Sequence, residues 1–364
     1  MGNPHARPLP VARRPPQTGR GMATIARSGA MKIGLYMATQ WREGADLGPE
    51  LANLIEQVRA AKANGFASLM VGQHFLSRPL QMFQAMPLLA RLATEAEGML
   101  LGPGLLLLPL LNPVVVAEEA ATMDWLTGGN FVLGLGLGYR HEEFDSIGVP
   151  FNERVPRFIE GIEVIRKLWR DPVVEHQGRF HRLGGVQASL KPRRPGGPPL
   201  WLAGDVEVAV KRAARLGDAW MPSPMVSREA AGRLGALFQE ARATARLPPA
   251  SEFPAIRECH VGSGTGRALD EVREPLAFKY ESYASWGGDS GFVPADRIRQ
   301  DFDRFAADRF LIGSQSEVVE QIEHYRETTA INHILARVQW PGLDQKTTLR
   351  TIDRLGGVIA RLRR

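Results

Sequence analysis

The sequence predicts an α/β chain of the (β/α)8, or TIM-barrel, class, with insertions after strands four/five and seven. Three observations predict it. Eight short apolar runs recur between residues 32 and 340. Most are followed directly by a segment carrying a helical apolar stripe. Strand and helix alternate in a rhythm that favours a closed parallel sheet. The 364 residues, 44% apolar and 23% charged, suffice for one large barrel with a full core.

The elements follow in order. "KIGLYMA" (32–38) is the first buried strand. In "LGPELANLIEQVRAAKANG", Pro49 opens a helix, Leu51, Leu54, Ile55 and Val58 make its stripe, and Gly65 ends it. "FASLMVG" (66–72) is the second strand, with a helix over about 81–97. "MLLGPGLLLL" is the third and "PVVVAEEAATMDWL" its helix. The uncharged run 99–117 is long enough for a membrane span, but Pro103, Pro109 and Pro113 would break that helix. "FVLGLGLG" is the fourth strand, followed after a loop by a helix over 153–171. "PLWLAG" (199–204) and "DAWMP" are the fifth and sixth, each with a helix behind it. "AIRECHVG" (255–262) and "INHILARVQW" (331–340) are the seventh and eighth, and a helix over about 345–362 closes the chain.

Two stretches interrupt the rhythm. Residues 175–198 read as an insertion with a short hairpin. Residues 274–300 read as an aromatic-rich excursion, the kind of segment that often forms a lid or binding loop. Residues 1–30 hold five arginines and no acid, and read as a disordered Arg/Pro-rich extension before a barrel domain over 31–364, with Met31 a natural start. That extension carries most of the net charge of +6, so the body is nearly neutral and no nucleic-acid partner is expected. Cys259 is the single cysteine, which excludes a disulfide framework and fits a cytoplasmic protein with no membrane partner.

Active sites of such barrels lie at the C-terminal strand ends. His74 ends the second strand, where an imidazole can act as general base or hydrogen-bond a ring; an ordinary loop histidine is the other reading. The glycines of "FVLGLGLGYRHEEF" suggest a dinucleotide fingerprint. The spacing fails, because G-x-G-x-x-G from Gly134 needs glycine where Tyr139 stands, and no helix follows. Close approach of a flat ligand and tight packing inside the barrel both remain open. Gly204 and Asp205 stand at a strand-to-helix turn, whose free N–H groups suit a phosphate, while Asp205 equally suits an N-cap. The histidines show no ligand spacing, so no metal is expected. Trp220, Trp286 and Trp340 read chiefly as packing residues.

Together these segments resemble the bacterial luciferase-like flavin-dependent monooxygenases over about residues 31–360. The resemblance rests on "GFASLMVGQHF", the run from "GPGLLLLPLLNPVVVA" to "GLGYRHEEFDSIGVPF", "PPLWLAGDVEVAVKRAARLGDAWMP" and "FLIGSQSEVVEQIEHYRE". It implies reduced FMN lying across the strand ends, molecular oxygen as co-substrate, a small organic substrate, a separate flavin reductase as partner, and commonly a homodimer. His74 matches the family's active-site histidine. Gly104 and Leu105 match a strand-three bulge under the flavin that often contains a non-proline cis peptide. Gly138 and Tyr139 match the strand-four end beside the flavin, and Ala203, Gly204 and Asp205 match the segment meeting the ring edge and phosphate. Tyr280, Tyr283 and Trp286 are the expected substrate-facing residues. The chain departs from the family's usual residues at Asn130, Leu137 and Asp205. The alternatives are hydride transfer with a deazaflavin coenzyme, and a non-catalytic flavin-binding protein on the same fold.

Overall fold

The computed structural model describes residues 30–287 and 295–363. The extension expected over 1–30, apart from Ala30, lies outside the described residues, as do 288–294 of the expected excursion and the final residue of the expected domain.

Eight parallel strands form the expected barrel: β1 Lys32–Met37, β2 Ser68–Val71, β3 Leu100–Pro103, β4 Leu133–Gly136, β5 Leu200–Ala203, β6 Ala219–Met221, β7 Pro254–Val261 and β8 His333–Arg337. Ladders join β7, β8, β1, β2 and β3 in that order, and β4, β5 and β6 in a second group. A bridge between Leu101 and Phe131 links β3 to β4, and β6 lies beside β7 without a ladder. The interior is filled by one side chain or more from each strand region, including Tyr36, Met70, Val132, Trp201, Met221, Ile256 and Leu335. This layer is packed core, and the open space lies above it.

The helices cover the outside. Those of eight residues or more are α1 Glu50–Ala63, α2 Ala85–Leu92, α3 Pro113–Leu126, α4 Arg154–Arg170, α5 Glu207–Leu216, α6 Arg228–Thr244, α7 Thr265–Trp286, α8 Gln315–Thr328 and α9 Gln345–Leu362. Their starts are local chemistry. Asn112 accepts from the Val114 amide with Pro113 following, and Ser314 and Glu317 form a reciprocal capping box. The buried face of α1 is Leu54, Gln57, Val58 and Ala61, with Ile55 half-buried against the core, so of the expected stripe only Leu51 is exposed.

Several boundaries differ from expectation. Residues Leu80–Met82 form an antiparallel pair with Gln40–Arg42, which shortens the expected helix over 81–97 to α2. A short strand, Leu311–Gly313, absent from the expected eight, pairs with the far end of β7. The first insertion contains the expected hairpin, Val174–Gln177 with Arg182–Val186. The second is not a loop through Trp286. It is the C-terminal half of α7, a 22-residue helix with Pro275 inside it.

At the N-terminal end of the barrel, Ser68 Oγ lies 2.8 Å from His333 Nε2, and His333 Nδ1 lies 2.7 Å from Glu252 Oε1. The order copies a hydrolytic triad, but Ser68 and His333 are both fully buried, so no substrate reaches them. The line is a polar strut inside the core. Burial holds the His333 imidazole below its ordinary 6.5, against the pull of Glu252. A histidine kept neutral in the fold contributes stability that is complete above about pH 6.5 and falls as the unfolded chain gains its proton. The urea midpoint is therefore expected to drop between pH 7.5 and pH 5, and His333→Gln to weaken the protein overall but flatten that drop. An equal drop in the variant would contradict a neutral buried His333.

Candidate active site

The C-terminal strand ends surround a cavity of about 400 Å³. All eight strands or the residues just after them contribute to it, from Met37–Gln40 after β1 to Arg337 at the end of β8, with β7 contributing Ile256. The lining is mostly apolar, as in pockets that exclude water and position few polar groups.

The floor depends on close backbone approach. Gly104–Leu105 is a cis peptide, as the resemblance implied. The Tyr36 hydroxyl donates to the Gly104 carbonyl at 2.5 Å. The chain then resumes pairing at Leu106–Leu107 against β4, and the Leu107 amide donates to Gln73 Oε1 at 3.1 Å. A Cβ on Gly134 would lie 2.1 Å from the Pro103 carbonyl, and one on Gly102 would lie 2.4 Å from that of Val132. These two glycines serve packing between β3 and β4. Gly136 and Gly138 line the cavity, and Gly138 has φ +76, a left-handed conformation that favours glycine. Within the run, the packing reading holds for Gly134, while Gly136 and Gly138 face the cavity.

His74 stands on this cavity at the end of the β2 segment. Its Nδ1 is 3.0 Å from Glu143 Oε1, and the same oxygen accepts the Phe75 amide at 2.8 Å. The His74 side chain is 13% exposed and that of Glu143 fully buried. A carboxylate only accepts, so Nδ1 carries the hydrogen and Nε2 is the ring nitrogen left to face a ligand. Arg140, also buried, donates to the Phe75 and Leu76 carbonyls at 2.7 and 3.1 Å and lies 3.6 Å from Glu143. Gln84 holds the other side by donating to the His74 carbonyl at 2.9 Å. The Tyr139 ring packs edge-on to His74 at 5.7 Å, and burial pushes its phenol well above 10, so it stays protonated at neutral pH.

The remaining expected residues divide. Ala203, Gly204 and Asp205 line the cavity. Asp205 is not the cap of α5: Val206 holds that position without a side-chain bond, and Asp205 instead accepts the Ser223 amide at 3.0 Å. Tyr280 and Tyr283 line the cavity from α7, and Gln40 donates to the Tyr283 hydroxyl at 2.8 Å. Trp286 stands behind them. It stacks on Tyr283 at 5.0 Å, donates to the Arg78 carbonyl and packs beneath Arg140, so it supports the wall and does not line the cavity. Trp220 and Trp340 are buried packing residues, as expected.

Sequence reading missed Tyr36, Glu143 and a buried charged group of Glu258, Lys279 and Arg337. Glu143 is indistinguishable from its neighbour Glu142 until the fold turns one inward; Glu142 is largely exposed. Arg337 and Glu258 lie in strands that also carry other polar residues, Arg257 and His260 in β7 and His333 in β8, so neither stands out in the sequence. Among the described residues no group of three or more His, Cys, Asp or Glu could hold a metal, and no helix is long and apolar enough to cross a membrane.

Solved structures share this architecture. The monooxygenase RslO1 from Streptomyces bottropensis superposes with a TM-score of 0.82 at 22% identity, covering 92% of this chain and 100% of its own. An F420-dependent secondary alcohol dehydrogenase, solved with an F420-acetone adduct, gives 0.76 at 20%, covering 92% and 100%. The oxygenating constituent of 3,6-diketocamphane monooxygenase from Pseudomonas putida, a type II Baeyer–Villiger enzyme solved with FMN, gives 0.74 at 18%, covering 92% and 98%. Residues 31–331 match the family described as luciferase-like monooxygenase, and the chain belongs to that family.

Proposed function

We propose that this protein is a cytoplasmic flavin-dependent monooxygenase that uses reduced FMN, delivered by a separate flavin reductase, and molecular oxygen on a small organic substrate. The observation that carries this reading is a histidine with one ring nitrogen fixed by a buried carboxylate, set on an apolar chamber at the barrel mouth. The residues fit a flavin. Leu105, Leu107, Gly136, Gly138 and Ala203 offer a surface without charged side chains for a flat ring. The first turn of α5 has no side-chain cap, and the Asp205 carboxylate is engaged by Ser223, so backbone N–H groups are left for a phosphate.

Reduced flavin, when bound, supplies the electrons that activate oxygen. The chain's own residues do the rest. Leu105, Met221 and Ile256 help keep water from the chamber. His74 takes or returns a proton at Nε2, and Glu143 stabilises the imidazolium that results. Tyr36 and Gln73 hold the floor in place through Gly104 and Leu107.

A second reading keeps these residues and changes the chemistry to hydride transfer with a deazaflavin coenzyme, His74 then taking a substrate hydroxyl proton. The likeness to the F420-dependent alcohol dehydrogenase supports it. A non-catalytic flavin binder would have no use for the His74–Glu143 pair.

Anaerobic titration with reduced FMN and with the reduced deazaflavin separates the two readings: FMN is expected to bind and to give oxygen-dependent product, whereas deazaflavin binding without FMN affinity would overturn the first. His74→Asn is expected to lower turnover by about 100-fold or more with flavin affinity retained; full turnover in that variant would remove His74 from the chemistry. Glu143→Gln preserves the acceptor for Nδ1 but removes the charge, so a loss of about 5- to 30-fold in kcat at unchanged flavin affinity is expected.

A further inference from the structure

One wall of the cavity brings two cationic side chains onto a single buried carboxylate. Arg337 lines the cavity, its guanidinium 4.3 Å over the Tyr36 ring and its Nη1 3.4 Å from Glu258 Oε1. Lys279 donates to that same oxygen, Tyr280 Oη reaches it at 2.9 Å, and the Trp340 indole takes the other oxygen. The Glu258 and Lys279 side chains are fully buried and that of Arg337 is 5% exposed. Two cationic side chains therefore share one carboxylate where water screens little. The Arg337 Nε is buried with no hydrogen-bond partner. Burial first, and then the charge of Arg337, push the Lys279 ammonium down to about 7 against the pull of Glu258. The Arg337 guanidinium, unlike the Lys279 amine, keeps its charge throughout the working pH range.

We propose that Arg337 binds an anionic group of the substrate, a carboxylate in chemical class, and thereby selects small organic anions over neutral molecules of the same shape. The inference rests on reading this cavity as the reaction chamber. Tyr283 gives it direction. Its ring centroid lies 5.3 Å from Lys279 Nζ and 6.2 Å from the His74 ring. A carboxylate held at Arg337 can lay its apolar body along Tyr283 toward His74. The planar, permanently charged guanidinium suits a carboxylate better than an ammonium does.

The test is calorimetric titration of the full-length protein, without flavin, with benzoate and with benzamide, which match in shape and differ in charge. The wild type is expected to prefer benzoate by about tenfold or more. Arg337→Gln should bring the ratio near one, Arg337→Lys should keep part of it, and Glu258→Gln, which removes the competing carboxylate, should raise it. Equal affinities in the wild type, binding of neither compound, or an undiminished ratio in Arg337→Gln would overturn the proposal. Should Arg337→Gln fail to fold, Glu258→Gln decides: a raised ratio supports the assignment and an unchanged or lowered one overturns it. Flavin takes no part in this experiment, so loss of anion selectivity and failure to bind flavin are separate results.

Discussion

A buried carboxylate, Glu143, ties together two parts of the barrel mouth that are distant in sequence. One of its oxygens receives the imidazole of His74 and the amide of Phe75, while Arg140 fastens the carbonyls of Phe75 and Leu76 from the same short segment. The chain after β2 is thereby fixed against the chain after β4. The tautomer of His74 follows, and so does the ring nitrogen left for chemistry. Removing one partner of such a buried group exposes the full desolvation cost of the other, so the set is expected to persist or fail as a unit.

The floor beneath His74 depends on a different constraint, the absence of side chains. Gly102 and Gly134 allow β3 and β4 to pass at distances no Cβ would tolerate, and Tyr36 and Gln73 then brace the Gly104–Leu107 segment. The barrel interior below is filled by large residues such as Trp201 and Met70, and the chamber lies above them at the strand ends. The apolar floor adjoins a wall where Arg337 and Lys279 meet Glu258.

The strand order was legible because most barrel strands are short apolar runs; His74 could be placed because it closely follows one, and Gly104, Leu105, Gly138 and Tyr139 because the segments around them resemble the family's. Three things were not legible, for physical reasons. Pro275 looks like a helix boundary, yet α7 carries it internally, which hid the helical origin of Tyr280 and Tyr283. The turn after β5 is longer than a minimal strand-to-helix turn, which moved Asp205 off the cap and onto Ser223. The roles of Glu143 and Arg337 come from side chains meeting across the barrel, at sequence separations of 69 and 79 residues for their contacts with His74 and Glu258. No local pattern encodes such meetings.

The central claim is that the chamber above Gly104–Leu105 receives a flavin ring within reach of His74. The most direct measurement is a crystal structure of the protein soaked anaerobically with reduced FMN. The account predicts density for a flat ring against Leu105, Gly136 and Gly138, facing His74 Nε2, with the phosphate at the start of α5. A ring bound elsewhere on the molecule, or a chamber still empty at saturating flavin, would contradict it.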